Sequence, residues 1–203
     1  MGVVPAARLT LVGIGAMNSP RYQPAGLLVS TPHAGAVLLD GGGGVPAEPL
    51  VGWLVTDLQS ELIAQIRRLA RPLGVHPQVI PLVLDGVTIT PWPVRHTSHP
   101  TFGYLIDRAG RRAAWAPEFV AFPIWAAGVD LLFADAAGWR RPIRFARGVG
   151  GHMAALTVAA DARRAEVRRL VFAHLGRPTI RALDAGETPP FGEIGREGQQ
   201  FIL

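Results

Sequence analysis

Apolar runs of four to eight residues, punctuated by glycine and proline, recur along the whole chain, and a helical period replaces them in only two places. The strand-like runs cover residues 8–14, 26–30, 36–39 and 52–55, then 79–84, 87–94, 103–107, 113–116, 131–134 and 169–173. Between 58 and 73, Leu62, Ile63, Ile66, Leu69 and Leu73 fall on one stripe while Arg67, Arg68 and Arg71 lie off it. That spacing predicts an amphipathic helix closed by Gly74. Residues 154–165 read as a second helix, 119–127 as a short helical or coiled stretch, and the end as a Pro/Gly-rich tail finishing at 199–203. Strands, helix, strands, helix and strand in that order fit an α/β chain in which two sheets pack face to face with helices outside, as one domain over residues 1–203.

The 24 Gly and 18 Pro of the 203 residues are scattered between apolar runs, which excludes collagen-like and disordered chains. The net charge is +5, yet all 20 basic residues are Arg. A nucleic-acid groove would normally also use Lys, so nucleic acid is not expected as a partner. With no Cys, disulfides, a thiolate nucleophile and thiolate metal sites are excluded, leaving imidazoles and carboxylates as metal ligands. The apolar stretch 121–139 is broken by Pro123, Gly128, Asp130 and Asp135, which argues against a membrane span. A cytoplasmic protein with a small-molecule substrate is expected, with a homodimer left open.

Polar side chains at the carboxyl ends of apolar strands face a cleft, where desolvation disfavours them unless something binds there. Asp40 follows 37–39. Asp57, Gln59 and Glu61 follow the run ending at Val55. His96 and His99 follow Val94, Glu118 follows Ala116-Pro117, Asp135 follows 131–134, and His174 follows 170–173. Carboxylates and imidazoles converging from separate strands predict a metal cleft.

The segments Thr10-Leu11-Val12-Gly13-Ile14-Gly15-Ala16 and Leu38-Leu39-Asp40-Gly41-Gly42-Gly43 resemble the opening of the metallo-β-lactamase superfamily. That family places His-x-His-x-Asp-His after a strand and Thr. Here Val55-Thr56 is followed by Asp57, Gln59, Glu61 and Leu62 at the four motif positions. His96 ahead of Phe102-Gly103-Tyr104 resembles the third-motif His, Glu118 falls where a bridging Asp is found, and His174 in Phe172-Ala173-His174-Leu175 matches the last His. Gly151-His152-Met153 lies where the tRNA-processing nucleases carry a catalytic His. The branch most resembled is the B protein of pyrroloquinoline quinone biosynthesis, through Thr56-Asp57-Leu58-Gln59, Ala116-Pro117-Glu118, 134–139 and 173–178, although its Cys-rich insertion is absent.

The resemblance implies a four-layer αββα sandwich and a divalent metal held by Asp57, Gln59, Glu61, His96, Glu118 and His174. His152 is expected to act as general acid. His99, Asp135 and Asp40 are expected beside the site, Asp135 orienting a His and Asp40 bonding backbone. Losing three imidazoles argues against a standard two-zinc centre, and the mixed oxygen and nitrogen donors suit Fe(II) or Mn(II) better than Zn(II). Alternatives remain open. Asp57 and Glu61 could simply begin a helix, His99 could replace His96, and His152 could only support its neighbours. The activity implied is hydrolysis of a phosphoester in a small substrate. The alternatives are a mononuclear-iron oxygenase or hydroxylase like the quinone-cofactor branch, or an inactive binding protein of the same fold.

Overall fold

The computed structural model describes residues 6–203. In chain order come β1 (Arg8–Gly13), β2 (Gly26–Thr31), β3 (Gly35–Asp40), β4 (Leu50–Leu54), α1 (Ile63–Ala70), β5 (Pro77–Gln78), β6 (Leu82–Leu84), β7 (Val87–Val94), β8 (Thr101–Arg108) and β9 (Arg111–Ala116). There follow β10 (Leu131–Ala136), β11 (Ile143–Arg144), β12 (Gly151–His152), α2 (Ala155–Arg164), β13 (Leu170–Leu175), α3 (Arg177–Asp184), β14 (Glu193–Ile194) and β15 (Gln200–Ile202). One sheet has the order β15-β1-β2-β3-β4-β5 and the other β14-β13-β10-β9-β8-β7-β6.

The period of two along the strands explains the layering. Leu27, Val29, Val37 and Leu39 point into the core shared with the second sheet, where Phe133 of β10 meets Phe201 of β15 at 5.1 Å between ring centroids. Their neighbours Leu28, Ala36 and Leu38 point the other way, with Trp53, into a smaller core covered by Ile66 and Ala70 of α1. Every residue of β10 and β13 is buried, because α2 covers their outer face. Parallel strands covered on both faces read as unbroken apolar runs, which is how 131–134 and 170–173 read in the sequence.

β9, β10 and β13 are parallel neighbours, so their carboxyl ends share one edge of the sandwich. A register shift between Ala134 and Asp135 makes Asp135 the direct partner of His174. That bulge re-aims both side chains toward the same edge.

Several elements differ from the sequence reading. The first helix begins at Ile63 rather than at residue 58, because the Asp57 carboxylate accepts the Gln59 N–H at 2.7 Å and folds the intervening residues into turns. It is prolonged by one tight turn over Arg71–Leu73 and ends at Gly74 in the left-handed region (φ 70°), as the periodicity predicts. The run 79–84 shrinks to β6, since Pro81 lacks a ladder donor. The supposed tail contains α3, whose first turn carries Pro178, a residue pre-set for that position. β13 runs through Leu175, so His174 lies inside the strand and not beyond it.

Candidate metal centre

The ends of five strands deliver the polar groups. Glu118 follows β9, Asp135 lies in β10, His174 in β13 and His152 in β12, while His96 follows β7. The Glu118 carboxylate stands between two imidazoles: Oε2 is 3.5 Å from His96 Nε2 and Oε1 is 3.4 Å from His174 Nε2. The His152 ring is stacked on His174 at 5.3 Å and lies 4.7 Å from His96. Among the described residues, the trios His96, Glu118, His152 and Asp135, His152, His174 each bring one ligand atom per residue within 4.8 Å of one another.

Hydrogen bonds set the tautomers. His96 Nδ1–H donates to the Gly151 carbonyl at 3.0 Å, leaving the Nε2 lone pair turned to Glu118. This contact requires the glycines: a Cβ at Gly150 would stand 1.8 Å from the His96 carbonyl oxygen, and one at Gly151 (φ 150°) 2.0 Å from that of Ile143. Burial lowers the pKa of His96, and it takes that of His174 to about 3, so both rings are neutral at pH 7. Burial pushes the Glu118 carboxyl up to about 8, although its side chain keeps 25% exposure toward the cleft. A carboxylate facing the His96 lone pair is repelled unless a proton or cation lies between them. Two N donors and one O donor fit a divalent ion.

His152 is held differently. Its Nδ1 is 2.9 Å from Oδ2 of the fully buried Asp135, whose oxygens also accept the Ala137 N–H at 2.9 Å and the Phe119 N–H at 3.3 Å. Burial lowers the His152 pKa, but the charge and hydrogen bond of Asp135, with Glu118, outweigh it and raise the pKa above its ordinary value. Asp135→Asn would keep the size but lose the charge and the fixed tautomer. It is expected to lower kcat by about 10–100-fold with metal content unchanged; loss of metal in this variant would instead make Asp135 a ligand.

Not every predicted residue joins the cluster. Asp57 is committed elsewhere: Oδ1 takes the Gln59 N–H, and Oδ2 pairs with His99 Nε2 at 2.8 Å. Gln59 and Glu61 are exposed on the wall of the cleft. The structure therefore brings together His96, Glu118, His152, His174 and Asp135, while Asp57, Gln59, Glu61 and His99 line the approach. Asp40 lies behind the site at φ 53°, accepting Thr56 N–H at 2.7 Å, Thr56 Oγ1–H at 2.9 Å and Trp115 Nε1–H at 2.7 Å, and burial raises its pKa to about 6. The sequence reading missed Phe145, whose ring meets His96 edge-on at 5.3 Å and His152 at 5.5 Å. Its one signal is that it is aromatic within an Arg-rich stretch.

The family model described as the beta-lactamase superfamily domain matches residues 54–175, more than half of the chain. The chain belongs to the β-lactamase superfamily. Solved structures of the metallo-β-lactamase fold superimpose over nearly its whole length. The metallo-beta-lactamase fold protein YhfI from Bacillus subtilis has a TM-score of 0.72 at 16% identity, covering 96% of this chain and 99% of that one. A diphosphatase from the PhnP family gives 0.70 at 16%, covering 98% and 97%. Zn(2+)-bound PqqB from Methylobacterium extorquens gives 0.68 at 14%, covering 97% and 100%. No curated protein matches the chain. In this β-lactamase-superfamily chain the matched region runs from the end of β4 to the end of β13, and so contains Asp57, His96, Glu118, Asp135, His152 and His174.

Proposed function

We propose that the chain is a metal-dependent hydrolase acting on a phosphoester of a small substrate. The observation that carries this reading is the Glu118 carboxylate set between His96 Nε2 and His174 Nε2, with His152 beside them, at the floor of a cleft of about 680 Å³. That volume suits a small molecule. A divalent ion bound there would make hydroxide available near neutral pH and polarise the phosphoryl oxygen.

The protein's own groups do the rest. His96 and His174 present neutral Nε2 atoms, and Glu118 supplies the negative charge that draws the cation. His152, whose pKa Asp135 raises, donates its Nε2 proton to the leaving oxygen. Phe145, with Ile143, forms an apolar wall that limits water beside the imidazoles. With Asp57, Gln59 and Leu62 at positions where the superfamily motif has imidazoles, a single ion of Mn(II), Fe(II) or Zn(II) is the reading, and not a two-metal centre.

Protein loaded with each of these ions in turn should release p-nitrophenolate from bis(p-nitrophenyl) phosphate, and chelation should abolish the release. A chain that binds one metal per molecule and hydrolyses nothing would overturn the proposal. Two imidazoles and one carboxylate also compose the ligand set of non-haem Fe(II) oxygenases. Oxygen uptake by the Fe(II) form, with no hydrolysis, would select that second reading, and failure to take up any metal would leave a binding protein.

A further inference from the structure

The cleft continues beyond the histidines. Ile143 and Pro178 are shared with a second, more open hollow of about 540 Å³ lined by Arg140, Arg141 and Arg181, and Arg177 lines the catalytic cleft itself at the junction. The acid in this hollow, Glu187, is already engaged: its Oε2 accepts Trp139 Nε1–H at 2.8 Å and pairs with Arg140. Arg141, Arg177 and Arg181 have no ion-pair partner among the described residues. Arg177 and Arg181 are also four apart on α3, a spacing at which like charges repel along one helix face. Asp57 and Glu61 line the same cleft, and Asp57 is already paired with His99.

Uncompensated guanidinium groups gathered in a hollow that opens into a reaction cleft match an anion with several oxygens, because each planar fork bonds two of them. We propose that this hollow is a second phosphate subsite, in which Arg141 and Arg181, with Arg177 at the junction, hold a phosphoryl group of the substrate other than the one cleaved over the histidines. The substrate is then a small molecule bearing two phosphoryl groups, separated by the span from His152 to Arg181. The inference rests on the hydrolase reading only for the identity of the first group.

The test uses inorganic phosphate and the full chain freed of metal by chelation and dialysis, followed by calorimetry at about 50 mM and about 500 mM salt. Phosphate should bind at low salt and weaken at least tenfold at high salt. It should weaken at least tenfold in Arg141→Ala/Arg181→Ala, and likewise in Arg141→Gln/Arg181→Gln, which keeps the stems. His96→Ala should bind as the parent does. Equal affinity in the arginine variants, loss in His96→Ala instead, or no binding by the parent would each overturn the subsite. Acetate serves as the comparison, and binding as tight as phosphate would mark a carboxylate site and contradict the proposal. Because neither metal nor turnover enters the titration, phosphate binding by a chain that hydrolyses nothing sinks the hydrolase reading alone, and hydrolysis by a chain that binds no phosphate here sinks the subsite alone.

Discussion

Glu118→Gln should lower divalent-metal affinity by about 100-fold and hydrolysis by about 1,000-fold, yet make the metal-free protein more stable. The amide keeps the shape of the side chain and loses only the charge that draws the cation. The stability gain follows from the carboxyl's pKa, which burial raises from the ordinary value of about 4.3 to about 8. A carboxyl whose pKa is higher in the folded state contributes stability that is full below about pH 4 and lost as pH rises through about 8. At about pH 9 the metal-free parent carries the whole cost of a charge with no counter-ion, and the variant does not; a gain of about 1–3 kcal/mol is expected. Urea unfolding of both metal-free proteins at about pH 5 and about pH 9 checks it. A variant less stable than the parent at the higher pH would mean that Glu118 is a structural group satisfied without metal.

Asp40→Ala should cost about 3–5 kcal/mol of unfolding free energy, enough to threaten folding of a marginally stable chain. Its carboxylate ties the end of β3 to the end of β4 through both polar groups of Thr56, and ties the first sheet to the second through the Trp115 indole. Removing it leaves these three donors buried without an acceptor, each costing about 1–3 kcal/mol before relaxation. Backbone strain adds to the loss, because at φ 53° alanine tolerates the left-handed region less well than aspartate does. The same carboxyl has its pKa raised to about 6 by burial, so its contribution is largest below about pH 4 and shrinks as pH passes 6; the gap between parent and variant should narrow over that range. Chemical denaturation across pH tests both points, and a loss below about 1 kcal/mol would show that the three donors find other partners.

The strands that build the site were legible because burial on both faces leaves an unbroken apolar run, and a single polar residue at its end stands out. Asp135 and His174 were singled out in that way, and so was Glu118 after β9. His152 was legible through the resemblance of Gly151-His152-Met153 to the tRNA-processing nucleases, and two of the glycines before it are needed because the chain presses against the His96 and Ile143 carbonyls. What could not be read was how carboxylates are spent. Asp57 sits at a strand end like the others, but its second oxygen is taken by His99, a residue 42 positions away, and no spacing rule reveals such a pair. Gln59 and Glu61 share its segment and stand with it on the cleft lining, outside the histidine cluster. α3 was missed for a different reason: Gly176 and Pro178 read as breakers, although a proline in the first turn of a helix lacks only an N–H that would have no partner there anyway. With that helix unseen, Arg177 and Arg181 could not be placed beside Arg140 and Arg141.

The central claim is that one divalent ion sits among His96, Glu118 and His174. Crystals soaked in Mn(II) and measured for anomalous scattering test it most directly. The account predicts a single strong peak about 2.0–2.3 Å from His96 Nε2, His174 Nε2 and a Glu118 oxygen. A peak centred instead on Asp57 and Glu61, or no peak near the imidazoles in crystals that bind the ion elsewhere, would contradict it.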